Sequence, residues 1–286
     1  MQAVGIEFIS VFGLPPVAFT HLAADLGCRW ISVVLEPLAY NPEGYPPYSL
    51  RKDAGLRRET KQALADRGVS ISLVEGFVVR PGGDVGSYAA DLEIAAELGA
   101  PCVSTLSFDP DLPRSLDQFA LLAEMAAAAG VQTRLEFAPS CGVPDLPTAL
   151  AAWRHVGRED FKLTLDTMHV VRSGASAADL ARLDRAAVGY VQLCDAPRAP
   201  ALPDYLEEAR FERKAPGAGE LPLVELLAVL PPIPVIGLEV PLRAQAEAGA
   251  GPRERMAPVV KAARELLAQV EALTTAGDAA PRAPSP

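Results

Sequence analysis

The chain has only three histidines, no excess of basic residues, few aromatics and no long apolar run, and each shortage removes a class of function. Three histidines are too few for a histidine-rich multi-metal cluster. With 26 Lys and Arg against 36 Asp and Glu, the formal net charge of −10 repels phosphate backbones, so a nucleic-acid partner is disfavoured. No stretch approaches the roughly 18 apolar residues of a membrane-spanning helix. The N-terminus enters a strand-like segment directly, without the basic flank and small-residue cleavage site of a signal peptide. A soluble, cytoplasmic protein with no membrane partner is expected. Cys28, Cys102, Cys141 and Cys194 show neither C-x-x-C spacing nor finger-like intervals with His, so buried thiols are expected rather than disulfides or a zinc knuckle. Hydrophobic residues make up 50% and aromatics 6%, so Ala, Leu, Val and Ile must build the core, as in layered barrel interiors.

What is present is alternation. Strand-like runs beginning with VGIEFISV (from Val4), WISVVLEP and SISLVEGF are each followed by an amphipathic helical segment. CVSTLSF, QTRLEFAP, FKLTLDTMH, VGYVQLCD and PVIGLEVP continue the pattern, which makes eight strand-helix pairs. Pro at a helix start and Gly at its end mark several boundaries, and Ser115 is a candidate N-cap. Eight βα units imply a parallel sheet closed on itself, a (β/α)8 TIM barrel, and 286 residues suit one such domain of about 250 residues. The barrel is expected over residues 1–273 and a disordered Pro- and Ala-rich tail over 274–286. The long segments Tyr40 to Tyr48 and Ala196 to Glu220, after the second and seventh strands, are candidate lids or binding loops. Gly82, Gly83 and Gly86 follow a strand, and their spacing fits a plain turn better than a phosphate cradle.

Four consecutive strands carry an oxygen-bearing side chain at or near their C-terminal ends: Glu136, Asp166, Gln192 and Glu239. In such barrels the site lies at that face. A charge inside a barrel costs several kcal/mol unless it is paired or binds a metal. The same strands offer few basic partners, since Arg134 and Lys162 sit early in their runs, so a metal quartet is expected. Three carboxylates and one amide suit a hard or borderline divalent ion, Mn2+ or Mg2+, with Co2+ a further candidate. Cys194, two residues beyond Gln192, is expected near the same mouth.

The order Glu136, then Asp166-Thr167-Met168-His169, then a polar ligand in a strand ending in Asp195, then Glu239 in a G-L-E-V strand resembles the xylose-isomerase-like barrels of the sugar phosphate isomerase/epimerase group, over about residues 4 to 270. The resemblance implies one divalent metal on the quartet and proton transfer by Glu136 and Glu239. Gln192 stands where many members carry His. Gln192-Leu193-Cys194-Asp195-Ala196-Pro197 and Pro216-Gly217-Ala218-Gly219-Glu220 are similar to the branch of 3-dehydroshikimate dehydratases, although Ala209 and Phe211 replace a serine and a histidine of that pattern. The implied activity is isomerisation or epimerisation of a keto-sugar or polyol through an enediolate. Dehydration of a keto-polyol, in the manner of 3-dehydroshikimate or inosose dehydratases, is the alternative. A non-catalytic sugar-binding barrel and the endonuclease branch follow, the latter disfavoured by few histidines and negative charge.

His169, just beyond a ligand strand, is a candidate for holding a substrate hydroxyl or protonating a leaving group. Arg210 and Arg213 are candidates for binding a substrate carboxylate or phosphate, or else belong to a solvated mixed-charge lid turn. Glu36 and Glu75, with Glu7, lie late in the first three strands and are candidates for substrate hydroxyls. His21 and His155 fall in helical patterns and are expected to be structural. The expected partner is a small sugar or polyol, and self-association stays open.

Overall fold

A computed structural model describes residues 3–278. Eight strands, β1 (Ala3–Ile6), β2 (Trp30–Val34), β3 (Ser70–Val79), β4 (Cys102–Ser107), β5 (Gln132–Glu136), β6 (Phe161–Asp166), β7 (Val188–Leu193) and β8 (Val235–Leu238), pair in sequence order. Every pairing is parallel, and β8 returns to β1, so the sheet is a closed barrel and the chain a single TIM barrel domain. Parallel strands buried on both faces must be nearly continuous apolar runs, which is why VGI, WISVV and VIGL read as they do.

The helices of the outer ring are cut by local chemistry. Asp53, Asp111 and Asp145 each accept a backbone N–H from three residues on, and Pro follows within the first turn at Leu112–Ala128 and Leu146–Val156. Such caps contribute about 1 kcal/mol each. Asp111, not Ser115, caps the fourth-strand helix. Ser115 lies one turn inside, buried, with its hydroxyl 2.8 Å from Ser107 Oγ. Gly68 and Gly157 close their helices in the left-handed conformation. The Gly82 to Gly86 segment is a turn leading into a short 3-10 helix.

The final helix, Pro252–Asp278, runs past residue 273, where the tail was expected to begin; residues 279–286 lie outside the described residues. No helix among the described residues is long and apolar enough to cross a membrane.

A small apolar cluster sits apart from the main core. Leu73, Cys102, Tyr190 and Val235 pack together around Trp30. Tyr190 lies on β7, yet its hydroxyl is 3.0 Å from Ser72 Oγ on β3. Those strands are not neighbours, so this contact crosses the lumen.

Candidate active site and metal centre

Strand register places the four sequence-derived ligands on one rim. Glu136 ends β5 opposite Thr164, Asp166 ends β6 opposite Gln192, Gln192 faces Gly237, and Glu239 follows β8 directly. All four are buried. Asp166 also caps a short helix, Thr167–Arg172, by accepting the His169 N–H at 2.9 Å. The Asp cap ends the strand at Asp166 and starts a helix there, which puts His169 just beyond the ligand strand, where the sequence reading had it. His169 Nε2 consequently sits 3.3 Å from Glu136 Oε1, and Nδ1 lies 2.6 Å from the Tyr205 hydroxyl. Tyr205 starts the helix Tyr205–Phe211 inside the long seventh loop, and nothing in its local sequence signalled this contact.

The residues present fit a divalent cation. One ligand atom each from Glu136, Asp166 and His169 lies within 4.8 Å of the others. Both amide atoms of Gln192 and the Oε2 of Glu239 are buried without a hydrogen-bond partner. An unsatisfied buried polar group costs about 1–3 kcal/mol, a cost that coordination would remove at the two oxygens, Gln192 Oε1 and Glu239 Oε2. His169, by contrast, already has Tyr205 and Glu136 beside it.

Arg213 corrects the sequence reading at one point. The strands themselves offer few cations, but Arg213 reaches in from the seventh loop, donating to Asp166 Oδ2 and, at 3.3 Å, to Glu239 Oε1. Its side chain is buried, and its Nε is anchored by the Ala209 carbonyl at 2.6 Å. The two carboxylates therefore respond differently to burial. Burial works against the Asp166 charge, but Arg213 and then His169 outweigh it and hold the carboxyl below its usual range. At Glu239 burial dominates over Arg213, and repulsion from Asp166 and Glu136 adds to it, so that carboxyl lies well above its usual range. Carboxyls pushed apart in this way can play different proton-transfer roles. Cys194 does reach the site, 3.2 Å from the Arg213 guanidinium, but burial pushes its thiol up to about 12. It is not a thiolate nucleophile.

Removing Arg213 should leave two buried carboxylates uncompensated. Arg213→Met is expected to destabilise the metal-free protein by about 3–5 kcal/mol in chemical denaturation. Mn2+ should recover more stability in this variant than in the parent. Equal denaturation midpoints for the two metal-free proteins would show that the pair is not a structural element.

The rim opens into a cavity of about 390 Å³ that Glu136, His169, Glu239, Arg213, Arg210 and Glu75 help to line. Arg210 is exposed there, and among the described residues it has no carboxylate partner. Glu36 also lines the cavity, but its carboxylate is taken by Ser49 at 2.9 Å and Arg51 at 2.6 Å, so it chiefly braces the second loop. Tyr40 in that loop packs edge-on against both Phe12 and Phe211, tying the first, second and seventh loops together. The Asp195-Ala196-Pro197 and Pro216-Gly217-Ala218-Gly219-Glu220 motifs explain each other: Asp195 Oδ2 accepts the Gly217 and Gly219 N–H groups, both at 2.9 Å. A Cβ on Gly219 would stand 2.3 Å from Asp195 Oδ1, so glycine is required for the clamp that folds the seventh loop over the mouth.

Several solved structures share this architecture. A xylose isomerase-like TIM barrel/4-hydroxyphenylpyruvate dioxygenase fusion protein superposes with a TM-score of 0.78 at 21% identity over 99% of this chain, which spans 45% of that longer protein. An IolI protein with a bound zinc atom matches at 0.75 and 17% identity, over 96% of this chain and 99% of that one. The probable 3-DHS dehydratase AsbF from Bacillus anthracis matches at 0.69 and 15% identity, over 91% and 98% of the respective chains. Identities this low establish the fold alone. Among curated proteins no match was found. The family comparison goes further, because its match extends over residues 20–266 and so takes in all eight strands except β1. By that match and the closed eight-stranded barrel, the chain belongs to the xylose isomerase-like TIM barrel family.

Proposed function

We propose that the protein is a divalent-metal-dependent isomerase or epimerase of a keto-sugar or polyol, with Glu136 and Glu239 as its acid-base pair. The observation that carries this reading is the buried ring of Glu136, Asp166, Gln192 and Glu239 at the mouth, in which Gln192 and Glu239 keep unsatisfied atoms. We assign the fourth ligand position to Gln192 rather than His169, because the Gln192 amide has no other partner and His169 has two. An all-oxygen set suits Mn2+ or Mg2+, with Co2+ also accommodated. The zinc bound by the IolI protein, a barrel of the same fold, supports a divalent metal here.

The ion, when bound, supplies Lewis-acid polarisation of a substrate carbonyl. Glu136 and Glu239 remove and return a carbon-bound proton; its return to the opposite face of the same carbon gives epimerisation, and its return to the neighbouring carbon gives isomerisation. His169, with Nδ1 fixed by Tyr205, directs Nε2 toward Glu136 and a substrate hydroxyl. Arg213 offsets charge beside Glu239, and Arg210 offers its guanidinium to an anionic group on the substrate. The D-psicose 3-epimerase and L-ribulose 3-epimerase structures, with TM-scores of 0.67 and 0.69, are consistent with a ketose substrate. The Asp195 clamp, which joins both halves of the dehydratase-like pattern, favours dehydration of a keto-polyol as the second reading.

A ketose panel incubated with the Mn2+-loaded protein in deuterated water separates the two. Deuterium incorporated at carbon without loss of water supports isomerisation or epimerisation, whereas an enone product supports the dehydratase. If no panel member exchanges or dehydrates, both readings fail. Mn2+ itself should stabilise the fold by about 2.7 kcal/mol at a hundredfold excess over Kd. This would appear as a rise of several degrees in Tm, and its absence would remove the metal from the site.

A further inference from the structure

The cavity above the rim has two unlike halves. From β5 to β8 and the seventh loop it receives Glu136, His169, Arg210, Arg213 and Glu239. From β1 to β4 and the segments that follow them it receives Phe8, Leu38, Val78, Leu106 and Phe108, each half-buried or exposed, so these side chains turn apolar surface to the cavity. Leu38 is 45% exposed, and of the exposed large hydrophobic residues among the described residues it alone lines this cavity. Its loop is fixed on both sides. Glu36 accepts from Ser49 at 2.9 Å and Arg51 at 2.6 Å, while the Tyr40 hydroxyl donates to Glu247 at 2.9 Å.

The polar groups of this half are engaged with protein. Arg51 donates to Asp91 at 2.7 and 2.8 Å as well as to Glu36. Glu75 accepts the Ser32 hydroxyl at 2.7 Å. The Arg80 guanidinium carbon stands 5.6 Å from the centroid of the Phe108 ring, a cation–π contact. A sugar hydroxyl pressed against this wall would give up water and meet few free partners, which is unfavourable. An apolar group in the same place gains by leaving water.

We propose that the substrate is a hydroxyketone or polyol carrying an apolar ring, aromatic or alicyclic, and that Phe8, Leu38, Leu106 and Phe108 form the subsite for that ring while the ligand rim takes the oxygenated end. The oxygenated end rests on the isomerase or epimerase reading, whereas the ring subsite does not.

Shape and size agree with a ring. Phe8 and Phe108 are themselves aromatic, and aromatic side chains pair with another ring edge-on or offset. The volume of about 390 Å³ falls in the range that holds ligands larger than the few atoms a metal chelates. Because the wall is already in place, little binding free energy is lost in ordering it.

Two hydroxyketones that differ in one substituent test the subsite: α-hydroxyacetophenone carries a phenyl ring where hydroxyacetone carries a methyl group. In calorimetric titration of the Mn2+-loaded full chain, the phenyl compound should bind about 10- to 100-fold more tightly, as burial of most of a ring requires. Leu38→Asp and Phe108→Ala should each cut that ratio by at least about threefold. Leu121→Asp, which changes an exposed leucine that does not line the cavity, should keep the parental ratio. A ratio near one in the parent, a ratio that survives both cavity variants, or an equal fall in Leu121→Asp would each overturn the proposal.

The same titrations on the metal-free protein separate the ring subsite from the metal-dependent reaction. A ratio kept there while Mn2+ tightens neither compound leaves the subsite standing and removes the hydroxyketone reading. A ratio near one while Mn2+ tightens both does the reverse. No binding of α-hydroxyacetophenone in either form overturns both.

Discussion

Glu239→Gln and Glu136→Gln should each lower turnover by roughly 100- to 10,000-fold while leaving the melting temperature within a few degrees of the parent. The charge being removed is expensive where it stands. Burial, Asp166 and Glu136 together push the Glu239 carboxyl well above its ordinary range, so a neutral amide of the same shape relieves that cost even as it removes the proton carrier. Glutamine keeps a carbonyl oxygen at each position, so Mn2+ should still raise the Tm, though by less than in the parent. The pairing of results is what matters: lost turnover with a retained metal response identifies proton transfer, and loss of both identifies ligation alone. Turnover near parental values in either variant would remove that residue from the acid-base pair. Kinetics in the presence of Mn2+ and thermal melts with and without it are sufficient measurements.

The second large effect is expected at a position with no reactive side chain. Gly237→Ala should destabilise the protein by about 3 kcal/mol. A Cβ there would stand 1.5 Å from Glu7 Oε1 and 2.8 Å from the Tyr190 hydroxyl. Glu7 would have to leave its place, and Tyr190 would lose its 2.6 Å acceptor inside the barrel. Gly237 has no left-handed backbone to explain it, so space is the whole reason for glycine here. Gly237→Ala combined with Glu7→Ala, which deletes the obstructing carboxylate, should recover part of the loss in urea denaturation. Additive losses in the double variant would mean that the two side chains do not compete for the same volume.

These expectations show how far the sequence could be followed. Eight alternating apolar and amphipathic segments are a local property, and the strands formed where that alternation placed them. The quartet was legible for the same reason: Glu136, Asp166, Gln192 and Glu239 interrupt apolar runs at their C-terminal ends, and a parallel barrel sends all such ends to one mouth. Glu75 too could be picked out as a strand carboxyl, but not the Ser32 hydroxyl it accepts from the neighbouring strand. Ser115 was misread because serine favours both caps and buried contacts, and Asp111, one turn earlier, won the cap.

By itself, then, the sequence determined the barrel, its order of strands and the identity of the rim residues, because periodicity and strand position are properties of neighbours along the chain. Only the tertiary structure decided which charges meet. Arg213 lies 47 residues from Asp166 and 26 from Glu239 in sequence, and Tyr190 lies 183 from Glu7, yet closure of the sheet brings each into hydrogen-bonding distance of its partner. Such contacts follow from the curvature of a closed sheet and the fold of its long seventh loop, and no local pattern encodes them.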